Sequence, residues 1–233
     1  MTSNDPIYLD HNATTPILPE VVDAMLPYLR EHFGNPSSGH SHGLRARQAV
    51  MRARQQVAGL LGCDEDEVLF TSGGTEANNL AIRGVAEARP ERRHLVTTVI
   101  EHPATEGPCA WLERHGHPVT RIGVDSGGRA LLEEAREAID RETLLVTAMH
   151  SNNETGVLQP VAELVKLAQV AGALVHTDAA QSLGKVSVRV RELGVDLLSL
   201  AGHKLYAPKG VGALFVKRGT PLAPFSRGAS HER

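Results

Sequence analysis

The feature that most constrains this chain is a rhythm running from Val68 to Val216, in which short apolar runs alternate with stretches that carry apolar residues at helical spacing. Runs at Val68–Thr71, 95–99, Val119–Ile122, 144–148, 174–177, 197–200 and 213–216 read as strands. They are continuously apolar rather than alternating, so both of their faces must be covered. Helical stretches at 77–88, 105–114, 131–139 and Val161–Ala171 fall between them, as the crossovers of a parallel sheet require. The expected fold is therefore α/β, a mostly parallel seven-stranded sheet covered by helices on both faces.

Two helices are expected before the first strand. Residues 19–33 place Val22, Met25, Leu26 and Leu29 on one side and stop at Gly34-Asn35-Pro36-Ser37-Ser38-Gly39. Residues 44–61 place Ala46, Ala49, Val50, Ala53, Val57, Leu60 and Leu61 on one side and arginines on the other. With 233 residues and 41% hydrophobic content, the chain can bury one sizeable core.

The composition also removes several classes of function. Acids and bases are interspersed, giving a net charge of −3 with no basic block, and aromatics make up only 3%; neither a nucleic-acid surface nor an anionic membrane surface is indicated. No apolar run approaches spanning length, and Met1 to Asp10 lacks a basic-then-apolar leader, so a cytoplasmic location is expected. Cys63 and Cys109 form no CxxC pair and suggest a reducing compartment. His40-Ser41-His42 and His115-Gly116-His117 lack acidic or cysteine companions at ligand spacing, so no metal is expected.

Ligands of such sheets sit at the carboxyl ends of the strands, and there the chemistry-bearing residues collect. Lys204 follows the sixth run in Gly202-His203-Lys204, where partial burial would favour the neutral, nucleophilic amine of a Schiff-base lysine. Asp178 ends the run before it. A carboxylate there could hold a proton on the nitrogen of a pyridine ring, which makes that ring an electron sink. Ser72-Gly73-Gly74-Thr75 turns from strand to helix, so free N–H groups, the helix dipole and the Thr75 hydroxyl could hold a phosphate. His102 could lie flat on a planar ring, and an Asn of Asn152-Asn153-Glu154-Thr155-Gly156 could donate to a ring hydroxyl. Each residue alone has an ordinary structural explanation; together they point to one site.

Seven motifs recur in order along the chain: Tyr8-Leu9-Asp10-His11-Asn12-Ala13-Thr14-Thr15-Pro16, Gly34-Asn35-Pro36-Ser37-Ser38, Phe70-Thr71-Ser72-Gly73-Gly74-Thr75-Glu76, Glu101-His102, Asn152-Asn153-Glu154-Thr155-Gly156, His176-Thr177-Asp178-Ala179-Ala180-Gln181 and Gly202-His203-Lys204. The chain thereby resembles the cysteine desulfurases and the closely related selenocysteine lyases, class V enzymes of the fold-type-I pyridoxal-phosphate group. The resemblance implies residues 1–15 as a segment associated with a small domain and residues 16–233 as the pyridoxal-phosphate-binding large domain. It implies Lys204 as the cofactor's Schiff-base partner and carrier of the substrate's α-proton, with Asp178 on the ring nitrogen. Gln181 and Asn153 would hold the ring hydroxyl and Asn153 would help place substrate, His102 would stack on the ring and act in proton transfer, and Gly74, Thr75 and His203 would bind phosphate. The implied reaction converts L-cysteine, or selenocysteine, to alanine. Sulfur passes as a persulfide toward iron-sulfur cluster or other sulfur-compound assembly, in a homodimer that hands it to an acceptor or scaffold protein.

Two departures accompany the resemblance. Ala201 stands where the family often has a phosphate-binding serine. Family chains also continue through a small domain that carries the persulfide cysteine, so this chain is expected to be the cofactor-binding portion without the small domain. Cys63 lies in a helix-to-strand connection and Cys109 in a helical apolar pattern, neither suited to replace that cysteine. Other readings are a selenocysteine lyase, another class V lyase or aminotransferase, and a fragment that binds cofactor or partner without turnover.

Overall fold

The computed structural model describes residues 6–228 and Glu232. Met1 to Asp5, Ala229-Ser230-His231 and Arg233, on which part of the leader reading and the reading of the chain's end rest, lie outside the described residues.

Seven strands form one sheet: β1 Val68–Thr71, β2 His94–Thr98, β3 Val119–Ile122, β4 Thr143–Thr147, β5 Leu174–Asp178, β6 Leu197–Ala201 and β7 Gly212–Val216. Their spatial order is β1-β7-β6-β5-β4-β2-β3. β3, β2, β4, β5 and β6 run parallel, and β7 alone is reversed, antiparallel to both β6 and β1. The mostly parallel, seven-stranded expectation is met.

Successive residues of each strand point to opposite faces, and each face has its own core. Leu95, Leu145, Leu197 and Leu214 pack under α3 (Gly74–Ala88) and α4 (Pro103–Arg114), whose Ala77, Ala81, Ile82, Val85, Cys109 and Leu112 complete that layer. Their neighbours Val96, Val146, Leu198 and Phe215 face the opposite layer. It comprises α2 (Ser41–Leu61), α5 (Leu132–Ala138), α6 (Val161–Ala171) and the short α7 (Val190–Leu193), through Ala58, Leu61, Ala135, Leu164, Val165 and Val190. Each fully buried Leu or Phe contributes roughly 1.5–3 kcal/mol, which is why the strands are apolar on both sides.

Boundaries moved where local chemistry competed. α1 runs from Pro19 to Arg30, shorter than the expected 19–33, because both Glu31 and His32 turn their N–H groups back to the Pro27 carbonyl. α3 starts at Gly74 rather than 77, and α4 at Pro103 rather than 105. These shifts make Gly74 and Thr75 part of a helix's first turn and make His102 the residue that caps α4.

Candidate active site

The carboxyl ends of β4, β5 and β6 and the amino ends of α3 and α4 meet at one cleft. It is lined by Gly74, Thr75, His102, Asn153, Asp178, Gln181, His203 and Lys204, together with Ala104, Met149, Ser151, Ala180 and Ala201. All eight candidate residues from the sequence thus come together, and neither cysteine lines the cleft.

Asp178 is the last residue of β5 and is buried. Its Oδ2 accepts from Asn78 Nδ2 at 2.7 Å and its Oδ1 from the Ala180 N–H at 2.9 Å. A buried carboxylate is tolerated only when its lone pairs are met, and these two donors fix its rotamer. Asn78 sits on the buried side of α3 and also donates to Thr105 Oγ1 at 3.2 Å. Behind Asp178, the fully buried His176 ring bridges Thr147 Oγ1 (2.8 Å) and Ser199 Oγ (2.9 Å) across three strands. Burial pushes its pKa down to about 3, so it is a neutral strut.

Lys204 ends the 3-10 turn Gly202–Lys204 beyond β6. Burial and the nearby charge of Lys185 lower its pKa, against opposing pulls from Asp178 and Asp10. Its Nζ donates to the carbonyls of Asn12 and, at 2.9 Å, Ala13. The turn must be tight here: a Cβ on Gly202 would lie 2.8 Å from Val211 Cγ1 and 3.0 Å from the Val211 carbonyl oxygen. Two residues on, Tyr206 adopts φ 58°, which costs a bulky residue energy and is held from both sides. Its N–H donates to Thr15 Oγ1 (2.9 Å) and its carbonyl accepts from Leu18 (3.1 Å).

Asn12 to Thr15 therefore pack against the site. Thr15 donates through both N–H (3.0 Å) and hydroxyl (2.9 Å) to the His203 carbonyl, and Gln181 Nε2 donates to the Asn12 carbonyl (2.9 Å). Asn153 Nδ2 is engaged by Glu154 at 2.8 Å, and Gln181 Oε1 by Lys185 Nζ at 2.9 Å.

At the other end of the cleft, Gly73 takes φ 152°, a conformation L side chains rarely adopt, to swing the chain from β1 into α3. The first-turn N–H groups of α3 have no intrahelical acceptor and face the same region as Thr75, His203 and Lys209. Burial, Lys204 and Lys209 all lower the pKa of His203, which reports a locally positive field. An ideal Cβ on Gly74 would come within 3.3 Å of Ala201 Cβ, so Ala201 forms the floor beneath this turn.

His102 caps α4, its Nδ1 accepting from the Ala104 N–H at 3.1 Å, which puts the proton of a neutral ring on Nε2. The residue before it was missed as a contributor. Glu101 Oε1 accepts from Thr98 Oγ1 (2.6 Å) and from the Met149 N–H (2.9 Å), tying the ends of β2 and β4, while Oε2 is sealed from solvent with no partner. Burial above all, with minor help from Asp178 and Glu106, pushes its pKa up to about 8, so it is a carboxylic acid at neutral pH. The two thiols are raised too, Cys63 to about 11 and Cys109 to about 12, in both cases chiefly by burial. Among the described residues there is no group of three or more His, Cys, Asp or Glu side chains able to hold a metal ion, and no helix long and apolar enough to cross a membrane.

Comparison with known proteins agrees with this architecture. The family model described as aminotransferase class-V matches residues 7–232. A cysteine desulfurase of Nostoc sp. is 47% identical over 227 residues, covering 97% of this chain and 57% of the relative. The cysteine desulfurase IscS of Methanosarcina thermophila is 45% identical over 100% of this chain and 58% of the relative. Among solved structures, a NifS-like protein superposes with a TM-score of 0.96 at 38% identity, over 98% of this chain and 64% of that one. SspA in complex with cysteine superposes with a TM-score of 0.94 at 39% identity, over 97% and 66%. The chain spans little more than half the length of the curated relatives it matches. With the family model matched from one end of the sheet to the other and the fold shared at these identities, the chain belongs to the class-V aminotransferase family.

Proposed function

We propose that this chain is the cofactor-binding part of a pyridoxal-phosphate cysteine desulfurase. The observation that carries the reading is the pairing, in one cleft, of a half-buried lysine of lowered pKa with a buried, doubly hydrogen-bonded aspartate. The residues fit the group. An elongated ligand with a phosphate at one end and a basic ring nitrogen at the other matches a cleft that offers helix N–H groups, the Thr75 hydroxyl and His203 at one end and a fixed carboxylate elsewhere. Gly74, Thr75 and His203 would hold the phosphate, Lys204 the aldehyde carbon, Asp178 the ring nitrogen, Asn153 and Gln181 the ring hydroxyl, and His102 a ring face. The cofactor, when bound, supplies an electron sink conjugated with the substrate's amino group.

The chain's own residues supply the rest. Lys204, whose pKa is lowered by burial and by the charge of Lys185, takes the proton from the substrate's α-carbon. Asp178 acts by charge, and Asn78 keeps it aimed. L-cysteine as substrate is supported by the named activity of the relatives and by the cysteine held in the SspA structure. The sulfur-accepting step is not assigned to Cys63 or Cys109, which remain thiols at neutral pH and do not line the cleft.

The test is α-proton exchange of L-cysteine in D2O, followed by NMR with the chain and pyridoxal phosphate. Wild type should exchange faster than free cofactor, Asp178→Asn on the order of 100-fold more slowly, and Lys204→Ala no faster than free cofactor. Exchange at the wild-type rate in Lys204→Ala would overturn the reading.

A further inference from the structure

Beyond β4 the chain runs from Ala148 to Asn153 as a connector pinned by its backbone. The His150 N–H donates to the Asp178 carbonyl (2.8 Å), and the His150 carbonyl accepts from Gln159 (3.0 Å). Ser151 on this connector lines the cleft beside Met149, Asn153 and Asp178. Its Oγ lies 2.7 Å from Ser182 Oγ, which in turn lies 2.7 Å from His150 Nδ1. All three residues are at least nine-tenths buried, with exposures of 7%, 1% and 8%. Neither hydroxyl has another side-chain partner among the described residues, so imidazole, hydroxyl and hydroxyl form a wire whose last member is a residue that lines the cleft.

A hydroxyl has one proton to donate, so this wire can point in only two senses. With the imidazole proton on Nε2, Nδ1 accepts from Ser182, Ser182 accepts from Ser151, and Ser151 offers the cleft lone pairs only. With the proton on Nδ1 every bond reverses, and Ser151 offers an O–H. Burial is the one cause acting on His150 and lowers its pKa, so at neutral pH the two senses differ by tautomer rather than charge.

Resting on the reading of the cleft given above, we propose that Ser151 is a binding residue for an anionic oxygen of the bound ligand, and that His150, acting through Ser182, is the positioning residue that decides whether Ser151 donates or accepts. Occupation by such an oxygen moves the His150 proton from Nε2 to Nδ1. The oxygen has two sources of the same chemistry, the phenolate of the cofactor ring and the carboxylate of an amino-acid substrate. A sequence reading had no access to the wire, because its members are 31 and 32 residues apart and each looks like an ordinary loop residue.

The experiment uses 15N-histidine-labelled chain and long-range 1H–15N spectra, which distinguish the two tautomers, with the His150 signals assigned by their loss in His150→Gln. Covalent attachment at Lys204 is followed in parallel by mass spectrometry after borohydride reduction. Pyridoxal phosphate should convert His150 from the Nε2–H to the Nδ1–H form. The 3-deoxy analogue should fail to do so if the phenolate is the source, and conversion that appears only after L-cysteine is added would assign the carboxylate. Ser182→Ala should leave His150 in the Nε2–H form while attachment at Lys204 persists, and Ser151→Ala should do the same with roughly five- to tenfold weaker cofactor or substrate binding. Conversion that is equal in Ser182→Ala, or absent under every condition while attachment occurs, overturns the inference. Absence of attachment in wild type overturns the cleft reading and the inference with it.

Discussion

The strand ends around Asp178 and the amino-terminal helix α1 stand at opposite extremes of packing. At the strand ends buried polar side chains are tied to partners from elsewhere in the chain: Asn78 on Asp178, His176 between Thr147 and Ser199, Thr98 and Met149 on Glu101, with Asn78 Oδ1, Thr97 Oγ1 and Glu101 Oε2 left without a partner among the described residues. α1 has no buried residue, and Leu29 just inside its end and Phe33 just beyond it are 71% and 76% exposed. Both regions carry clear sequence patterns, an apolar strand rhythm in one and helical spacing in the other. The pattern predicts the element in both cases, but only the first finds its complement within the described residues. Periodicity therefore shows which face an element would bury and does not show what covers it.

The largest expected contrast lies between two phenylalanines. Phe215 is fully buried on β7, and Phe215→Ala should lower unfolding free energy by about 3–5 kcal/mol in urea titration, the range for emptying a packed aromatic site. A loss under 1 kcal/mol would mean that the sheet is not the stabilising core.

A smaller effect belongs to Glu101. Its folded pKa of about 8 lies above the usual carboxylate value of 4.5, so between these pH values the folded state binds the proton more tightly and stability falls as pH rises. His176, His94, His150 and His203, all with lowered pKa, pull the other way below and around pH 6.5, so the Glu101 contribution is read across pH 6.5–8 as the difference between wild type and Glu101→Gln. There the slope due to Glu101 should approach 1.4 kcal/mol per pH unit, and Glu101→Gln should remove it. An unchanged slope in Glu101→Gln, measured by thermal or urea unfolding across that window, would place the proton elsewhere. The smallest effect is expected just beyond α1, where Phe33→Ala should change stability by less than about 0.5 kcal/mol in the same titration.

Much of this was legible in the chain. Each strand was placed to within one residue at either end, because continuous apolar runs between helices leave few alternatives. α7 was missed, since four residues are too short to show a helical period. Glycines at 73 and 74 read as a turn, whereas only Gly73 needs its unusual φ and Gly74 already belongs to the helix. Lys204, Asp178, the Gly74-Thr75 turn, His102 and Asn153 could be nominated because a parallel sheet gathers its strand ends in one place, whereas Gln181 and His203 followed from the family resemblance. Their supporting partners could not. Asn78 and Asp178 are 100 residues apart, and Glu101 and Met149 are 48 apart, so nothing local marks them as a pair. His102, read from the sequence as a ring-facing side chain, caps α4 while lining the cleft.

The most direct test of the account is where pyridoxal phosphate becomes covalently attached. After borohydride reduction of the chain with the cofactor, peptide mapping should find the label on Lys204, with none in Lys204→Ala, and Lys185 and Lys209 unmodified in both. Label of equal yield in Lys204→Ala, or a label at Lys185 or Lys209 in the wild type, would contradict the assignment of the cleft.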